Sequence, residues 1–304
     1  MRVVFMGTPD FAVPSLRMLA ERHEVVLVVT RPDAVRGRGR KLVSSPVKVV
    51  ALELGLPVCE AARADEAMVA SVTGVAPDAI CVAAYGALLP DSILSAAPLG
   101  CLNVHASLLP RGRGAAPIQR ALLEGDDTVG VSIMRLVRQV DAGPYCRQAS
   151  LAVGEQTCAE VMSQLSELGA RELAGALDDM QAGRATWMEQ DETLATYVAK
   201  VDKSEMLLDP ADSALVNRRR VQASLDTAPA RLKVASRGLR VLDARVGSDS
   251  VPAGAVRAER RRVLLGCASG TLELLRVKPD GKREMDATAW AAGLHGDAIV
   301  WERA

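Results

Sequence analysis

The sequence predicts a doubly wound, mostly parallel α/β sheet, followed by a small antiparallel β-barrel or sandwich. Over residues 1–189, short apolar runs that end in glycine or polar residues alternate with helical patterns, which is typical of a parallel sheet covered by helices. From residue 206 onward, short β-like pieces are separated by Gly or Pro instead. We therefore expect a larger domain over 1–189, a polar linker over 190–205 and a small domain over 206–304.

The first residues read as a strand, a turn, a helix and a second strand. An apolar run over 2–6 ends at Gly7, helical spacing follows over 15–21, and a Val-rich strand is expected over 24–30. This is the start of a nucleotide-fold-like unit. The turn has a single glycine where a pyrophosphate loop needs G-x-G-x-x-G, which argues against a conventional dinucleotide site and against a nicotinamide oxidoreductase.

The remaining elements follow from the same periodicities. In the first domain we expect helices over 47–54 and 65–72 and a long amphipathic helix over 155–179, with strands over 78–84, 101–105 and 130–136. In the small domain we expect a helix over 210–221 and strands near 232–234, 239–246, 262–265 and 272–277.

Composition excludes several classes of protein. The six cysteines show no C-x-x-C pattern, and the three histidines are scattered, so we expect free buried thiols in a reducing compartment and no metal. No apolar run approaches membrane-spanning length, and the first residues do not resemble a signal peptide. We expect a cytoplasmic protein that acts as a monomer and does not contact a membrane.

Basic residues concentrate in two places although the formal net charge is zero. Five of the eleven residues over 31–41 are Arg or Lys, and glycines alternate with them. The part from residue 204 onward carries four more basic than acidic side chains. Both stretches fit ordinary solvated surface, and both also fit contact with a phosphate backbone, which a glycine-containing loop can approach closely.

Chemically useful side chains follow predicted strands. Asn103 and His105 lie at the end of one strand, and Asp141 lies in the loop after another. In an open α/β sheet these ends form the usual reactive edge. An amide and an imidazolium can hydrogen-bond a developing oxyanion, while a carboxylate favours the charged imidazole. Because no hydroxyl or thiol lies in a nucleophile-elbow pattern, the set favours direct acyl transfer between two bound substrates.

These residues and their neighbours resemble the folate-dependent formyltransferases over nearly the whole chain. The resemblance rests on a set of short motifs: Gly7-Thr8-Pro9-Asp10-Phe11-Ala12-Val13, Gly37-Arg38-Gly39-Arg40-Lys41-Leu42, Ser45-Pro46-Val47-Lys48, Ala84-Tyr85-Gly86, Asn103-Val104-His105-Ala106-Ser107-Leu108-Leu109-Pro110, Arg113-Gly114-Ala115-Ala116-Pro117-Ile118-Gln119 and Asp141-Ala142-Gly143. As a set they are highly specific. The resemblance implies a Rossmann-like formyltransferase domain over 1–189 and a small OB-like barrel.

The resemblance also implies a reaction. A formyl group would pass from 10-formyltetrahydrofolate, a co-substrate, to the α-amino group of methionine on charged initiator tRNA, for translation initiation. The family's catalytic amide, imidazole and carboxylate match Asn103, His105 and Asp141. The family's folate-contacting segment matches Ser107, Leu108, Leu109 and Pro110. Its tRNA-contacting loop matches Arg36, Arg38, Arg40 and Lys41, and among these we expect Arg38 to be the most important contact. The basic side of the barrel would make a second tRNA contact.

Three positions near the site depart from the family pattern. Gly112 stands where a bulky aromatic is usual, which predicts a looser loop. Val137 replaces an acidic residue, and Gln139 replaces a glycine that normally permits a backbone turn. The family's Pro- and Trp-containing segment after the linker has no clear match over 225–231. Two alternatives stay open. A formyltransferase acting on an amino-sugar nucleotide would share Asn103, His105 and Asp141, and the departures at Val137 and Gln139 suggest a tRNA-binding protein that has lost catalysis.

Overall fold

The computed structural model describes residues 1–36, 41–294 and 299–304. The strands are β1 Arg2–Gly7, β2 Glu24–Thr30, β3 Ala34–Arg36, β4 Lys41–Val43, β5 Val58–Glu60, β6 Ala79–Ala83, β7 Cys101–His105, β8 Arg113–Gly114, β9 Thr128–Arg135, β10 Tyr145–Ala152, β11 Tyr197–Val198, β12 Arg231–Val234, β13 Arg237–Gly247, β14 Val256–Ala258, β15 Val263–Gly266, β16 Thr271–Pro279, β17 Met285–Asp286 and β18 Trp301–Glu302. The helices are α1 Val13–Arg22, α2 Pro46–Glu53, α3 Glu66–Gly74, α4 Asp91–Leu94, α5 Pro117–Glu124, α6 Cys158–Gln181, α7 Ala214–Gln222 and α8 Ala287–Ala291.

A seven-stranded sheet organises the first of two compact units, which comprises residues 1–117, 128–152 and 162–198. Its strand order is β10-β9-β7-β6-β1-β2-β5. The strands from β7 to β5 run parallel, and β9 and β10 add an antiparallel edge. This confirms the predicted doubly wound, mostly parallel sheet. Strand β10 was not predicted, because its residues are only partly buried and form no apolar run.

Both faces of this sheet are apolar, as a doubly wound fold requires. On one face, Val3, Phe5, Leu102 and Val104 pack with residues of α1, α2 and α6. On the other face, Val4, Met6, Ile80 and Cys101 pack with residues of α3 and α4. Since side chains alternate along a strand, Leu102 and Val104 of β7 occupy the first face. Asn103 and His105 therefore share the face of Cys101.

An antiparallel sheet forms the second unit, which comprises residues 118–127, 153–161 and 199–304. The strand order is β14-β15-β16-β13-β12-β18, and β17 pairs with β16. The two ends of this sheet, at β14 and β18, lie close together. Ala255, just before β14, forms a β-bridge with Val300, just before β18, and the Trp301 backbone N–H donates to the Gly254 carbonyl at 2.8 Å. The result is a nearly closed barrel, which confirms the predicted small β-domain and decides against an open sandwich.

One of the few aromatic residues of the barrel belongs to its core. Trp301 is buried, and its indole N–H donates to the Gly266 carbonyl at 2.9 Å. Where the family's Pro- and Trp-containing segment was sought, Leu225 and Ala228 exchange backbone hydrogen bonds of 3.2 and 3.1 Å in a tight turn. A Trp that is committed to the core is not available to stack on a base.

The chain between the predicted domains is partly structured. Residues 190–198, the first part of the predicted linker, belong to the first unit, where β11 pairs with β8 in parallel. Within the described ranges, no helix combines the length and apolar character needed to cross a bilayer. The same ranges contain no group of three or more His, Cys, Asp or Glu side chains placed to hold a metal ion.

Candidate active site

Asn103 and His105 lie at the carboxyl end of β7, next to β6 on one side and β9 on the other. In register, Asn103 pairs with Val82 and Met134, and His105 pairs with Ser132. Asn103 is half-buried, and its side-chain amide has no hydrogen-bond partner among the described residues. The strand therefore presents an uncommitted amide beside a buried imidazole.

The structure brings His105 and Asp141 together across 36 residues of chain. The Asp141 Oδ1 atom lies 3.8 Å from His105 Nδ1, and both side chains are largely buried. Asp141 Oδ2 accepts a hydrogen bond of 2.9 Å from the backbone N–H of Gly114. On the other side of the ring, His105 Nε2 lies 2.9 Å from the Gly112 carbonyl oxygen, which can only accept, so the Nε2 proton is donated there. A protonated His105 would direct its second N–H towards Asp141.

The loop that carries Asp141 has an unusual backbone. Asp141 adopts a φ of 50°, in the left-handed region that non-glycine residues seldom occupy. Gln139, which replaces a family glycine, is not among the residues with positive φ, so the expected cost of that replacement does not arise. The residue with the unusual backbone conformation is Asp141, which carries the carboxylate. Backbone strain at a functional residue has to be supported by the surrounding structure.

The departure at Gly112 also has a local explanation. Gly112 adopts a φ of 74°, and its backbone N–H donates to Thr196 Oγ1 at 2.9 Å while its carbonyl accepts from His105. A Cβ at this position would lie 3.0 Å from the Cβ of Ser107. Both polar backbone groups of Gly112 are therefore engaged in hydrogen bonds, and a side chain at this position would crowd Ser107.

Sequence reasoning missed a buried arginine beside this loop. The Arg113 side chain is 0% exposed and forms a bidentate salt bridge with Glu192, with hydrogen bonds of 3.0 and 2.8 Å. It donates a further hydrogen bond of 2.9 Å to the Tyr197 hydroxyl. This hydrogen-bonded guanidinium lowers the pKa of Glu192 below its ordinary value. Nothing in the sequence indicated the pair, because Glu192 lies in the stretch predicted as a polar linker.

The predicted folate segment, Ser107 to Pro110, is fixed by the strands beneath it. The Ser132 hydroxyl donates to the Ser107 carbonyl at 2.6 Å and accepts from the Leu109 N–H at 3.1 Å. The Gln148 amide nitrogen donates to the Leu109 carbonyl at 2.9 Å and to Ser132 Oγ at 2.8 Å. The carbonyls of Leu108 and Pro110 also accept backbone N–H groups. The segment therefore presents a preset shape, which a rigid heterocycle could contact.

Ser132 is the centre of that arrangement. If the segment contacts folate, as the family resemblance implies, we expect Ser132→Ala to raise the KM for the folate more than it lowers kcat. The substitution leaves the buried Leu109 N–H without its acceptor, which we expect to lower the free energy of unfolding by about 1–3 kcal/mol. Steady-state kinetics and thermal denaturation measure both effects. Ser166→Ala, which removes a hydroxyl that donates only to the Ser163 carbonyl in α6, is the control. An unchanged folate KM in Ser132→Ala would contradict the assignment.

The predicted tRNA loop is described only at its base. Arg38 and Arg40 lie outside the described residues, and so do the side chains of Arg36 and Lys41. In the backbone, Arg36 pairs with Lys41 across the β3–β4 hairpin. The approach to this hairpin is anchored by Lys48, whose Nζ lies 2.8 Å from Asp33 and 2.9 Å from Glu60.

The thiols near the site are not nucleophiles. Burial raises the pKa of Cys101, two residues before Asn103, to about 12, and burial raises the pKa of Cys81 well above its ordinary value. Both thiols therefore stay protonated and unreactive near neutral pH. The polar groups at the end of β7 are consequently suited to stabilise charge on a bound substrate and not to form a covalent intermediate.

Sequence comparison with protein families matches both halves of the chain. Residues 1–177 match the family described as formyl transferase, and residues 200–295 match the formyl transferase C-terminal domain. The chain belongs to the formyltransferase family. Among curated members of that family, a methionyl-tRNA formyltransferase of Methylococcus capsulatus is 42% identical, over 94% of this chain and 95% of its own length. One of Methylobacillus flagellatus is 40% identical, over 96% of each chain.

Solved structures with the same fold include proteins that are much less similar to this chain in sequence. The N-formyltransferase from Helicobacter canadensis, in complex with folinic acid and dTDP-3-aminofucose, has a TM-score of 0.69 at 11% identity, covering 93% of this chain and 99% of that one. HypX from Aquifex aeolicus, in complex with tetrahydrofolic acid, has a TM-score of 0.66 at 17% identity, covering 99% of this chain and 50% of that one. At these identities the likeness concerns the fold alone.

Proposed function

We propose that this protein transfers the formyl group of 10-formyltetrahydrofolate to the free amino group of methionine on initiator methionyl-tRNA. The observation that carries the proposal is that relatives with this activity in their names are about 40% identical to this chain over nearly the whole length of both. The geometry at β7 supports the chemistry, because it combines an uncommitted amide with an imidazole–carboxylate pair. Formylation would block the amine before translation initiation.

In the proposed reaction, the neutral amine attacks the formyl carbon, so that a new C–N bond forms and charge develops on the formyl oxygen. Collapse of this tetrahedral intermediate breaks the bond between the formyl carbon and N10 of the folate. The attacking nitrogen loses one proton, N10 takes up one proton, and tetrahydrofolate leaves. The Asn103 amide is available to donate a hydrogen bond to that oxygen. The Nε2–H of His105 is bonded to the Gly112 carbonyl, so it must exchange that acceptor for the oxyanion during the reaction. Asp141 is placed to stabilise the imidazolium and to orient the ring. Ser107 to Pro110 would contact the folate.

For the tRNA, we propose contacts from Arg36, Arg38, Arg40 and Lys41, as the family resemblance implies, and a separate phosphate contact from the barrel. Most barrel arginines are paired with carboxylates, as Arg231 is with Asp280. Five basic side chains at one end of the barrel have no acidic partner among the described residues: Lys233, Arg237, Lys278, Lys282 and Arg283. They lie on the β12–β13 and β16–β17 hairpins, which are neighbours because β13 pairs with both β12 and β16. Unpaired cations grouped in this way favour phosphate contact.

We expect the triple variant Lys278→Ala, Lys282→Ala and Arg283→Ala to weaken tRNA binding and to reduce its dependence on salt. The logarithm of the binding constant falls as the logarithm of the salt concentration rises, and each lost phosphate contact makes this negative slope shallower by about one. Folate binding and the thermal midpoint should remain unchanged, since all three side chains are exposed. Binding measured at several salt concentrations tests this expectation, and Arg276→Ala, which removes a cation already paired with Glu284, is the control. An unchanged salt slope would exclude this end of the barrel as the contact.

The deciding experiment is a formyl-transfer assay with labelled 10-formyltetrahydrofolate. We expect transfer to charged initiator tRNA and none to a dTDP-linked amino sugar. Transfer to the sugar alone would replace the proposal with an amino-sugar formyltransferase. Binding of tRNA without transfer, unchanged by His105→Ala, would indicate a tRNA-binding protein that has lost catalysis.

We further propose that the protein works as a monomer in the cytoplasm. Catalysis would belong to the first domain, which includes residues 190–198 of the predicted linker, and the barrel over 206–304 would contact tRNA. The six free cysteines support a reducing compartment. Size-exclusion chromatography with light scattering measures the oligomeric state.

A further inference from the structure

The backbone around Asp141 is held by a glutamine that lies outside the predicted site residues. The Gln190 side-chain nitrogen donates one N–H to the Asp141 carbonyl at 2.8 Å and the other to the Gly143 carbonyl at 2.7 Å. Gln190 is 9% exposed, so these bonds are shielded from water. One amide group thus closes the turn from Asp141 to Gly143, in which Asp141 has its left-handed φ of 50°.

The glutamine is itself held by Arg113. Arg113 Nε donates to Gln190 Oε1 at 2.9 Å, and the rest of the guanidinium is bonded to Glu192 and Tyr197. The Gln190 side chain therefore has a partner for its oxygen and for both of its N–H groups. Because every polar atom of the side chain is engaged, rotation of the amide would break all of these bonds together.

The segment from Gly112 to Gly114 also contacts His105 and Asp141 directly. Gly112 accepts the His105 Nε2–H, and Gly114 donates to Asp141 Oδ2. Arg113 lies between them, and its side chain reaches the Asp141 backbone through Gln190. Asp141 is therefore fixed by its carboxylate through Gly114 and by its carbonyl through Gln190. The two attachments use different groups of Asp141, and both lead to the segment from Gly112 to Gly114. Together they determine where Oδ1 faces His105.

We propose that Gln190 is a positioning residue for formyl transfer, which holds the Asp141 carboxylate against His105 by clamping the carbonyl groups of Asp141 and Gly143. This inference rests on the proposed catalytic role of Asp141. Gln190 touches neither substrate nor the reacting atoms, and its effect on the reaction passes through Asp141.

A second glutamine provides a matched control. Gln222 is 8% exposed, donates its amide nitrogen to the carbonyls of Gly154 at 3.0 Å and Gln156 at 2.9 Å, and accepts from Arg218. Gln222→Ala thus removes the same kinds of bond at the same burial, in the second unit, where none of its partners is a proposed catalytic residue. We expect Gln190→Ala and Gln222→Ala to lower the thermal midpoint to a similar extent.

Kinetics then separate positioning from stability. We expect Gln190→Ala to lower kcat by about 10- to 100-fold, as small misplacements of catalytic groups do, with little change in the KM for the folate. Gln190→Glu keeps an acceptor for Arg113 but loses the two donated hydrogen bonds, so we expect it to be as slow as Gln190→Ala. Full activity in Gln190→Glu, or an equal loss of kcat in Gln222→Ala, would overturn the proposal.

A double-mutant cycle with Asp141→Ala tests whether the effect passes through Asp141. In single-turnover measurements at high enzyme concentration, we expect Gln190→Ala to have no further effect once Asp141 is removed. If Gln190→Ala lowered the single-turnover rate equally in the wild-type protein and in Asp141→Ala, the positioning role of Gln190 would be overturned, while the proposed function of Asp141 would stand. A wild-type rate in Asp141→Ala would instead overturn the catalytic role of Asp141, and this inference with it.

Discussion

We expect His105→Ala to lower kcat for formyl transfer by about 100- to 10,000-fold, the range typical of a lost acid–base or charge-stabilising group. The imidazole is buried, lies 3.8 Å from the Asp141 carboxylate and shares a strand face with the Asn103 amide. Removing it leaves Asp141 with the Gly114 N–H and no imidazole to orient. Binding of the folate should change little, because the segment Ser107 to Pro110 is held by Ser132 and Gln148 and not by His105.

The measurement is the single-turnover rate of formyl transfer, together with folate and tRNA binding by the same variant. His23→Ala is the matched control, since His23 follows α1 and its imidazole has no part in the proposed site. Burial lowers the pKa of His23, so this side chain is neutral near pH 7 and its loss removes no charge there. If His105→Ala retained more than about a tenth of the wild-type rate, a role in the chemical step would be excluded.

The second large effect is expected from Gly143→Ala, in the Asp141-Ala142-Gly143 motif. A Cβ at residue 143 would lie 1.9 Å from the Arg135 carbonyl oxygen, which is backbone and cannot move as a flexible side chain could. The strand end and the loop are joined at this point, because the Arg135 N–H donates to the Pro144 carbonyl at 2.8 Å. The added methyl group therefore has to push the loop away from β9, and Asp141 moves with it.

We expect Gly143→Ala to lower the free energy of unfolding by about 1–3 kcal/mol, as overpacking does, and to lower kcat by about 100-fold through displacement of Asp141. Denaturant unfolding and single-turnover kinetics measure the two effects. Gly74→Ala, at the end of α3 where a Cβ would meet nothing within 4 Å, should leave both quantities unchanged. A fully active Gly143→Ala would mean that the loop tolerates displacement and that the position of Asp141 is not critical.

The structure also bears on the hypothesis of a tRNA-binding protein without catalysis, which the departures at Val137 and Gln139 suggested. Gly112 suits its φ of 74°, and the unusual φ of the following loop is at Asp141 and not at Gln139. No feature of the described residues explains the replacement of an acidic residue by Val137. The backbone that the proposed chemistry needs is therefore present, and the formyl-transfer assay decides between the two hypotheses.

Much of the fold could be predicted from the sequence, because the spacing of apolar residues along the chain indicates whether a segment forms a helix or a strand. Strand β2 was predicted with its observed bounds, and α6 was predicted from the spacing of its buried leucines. The candidate residues Asn103 and His105 could be predicted to share a strand end, since they are two residues apart and follow an apolar run. Edge strand β10 was missed because half-exposed residues carry no such signal.

By itself, the sequence predicted the mostly parallel sheet, a separate small β-domain and the amide, imidazole and carboxylate of the proposed site. The tertiary structure decided that the β-domain closes into a barrel. Only the tertiary structure decided how the carboxylate is held. Arg113 and Gln190 are 77 residues apart, and neither lies in a pattern that marks a buried hydrogen-bonded pair. Local sequence encodes local conformation, whereas a hydrogen bond between distant polar side chains depends on where the packed sheet brings them. Gln190 was therefore assigned to a linker, although in the folded chain it holds the backbone of Asp141.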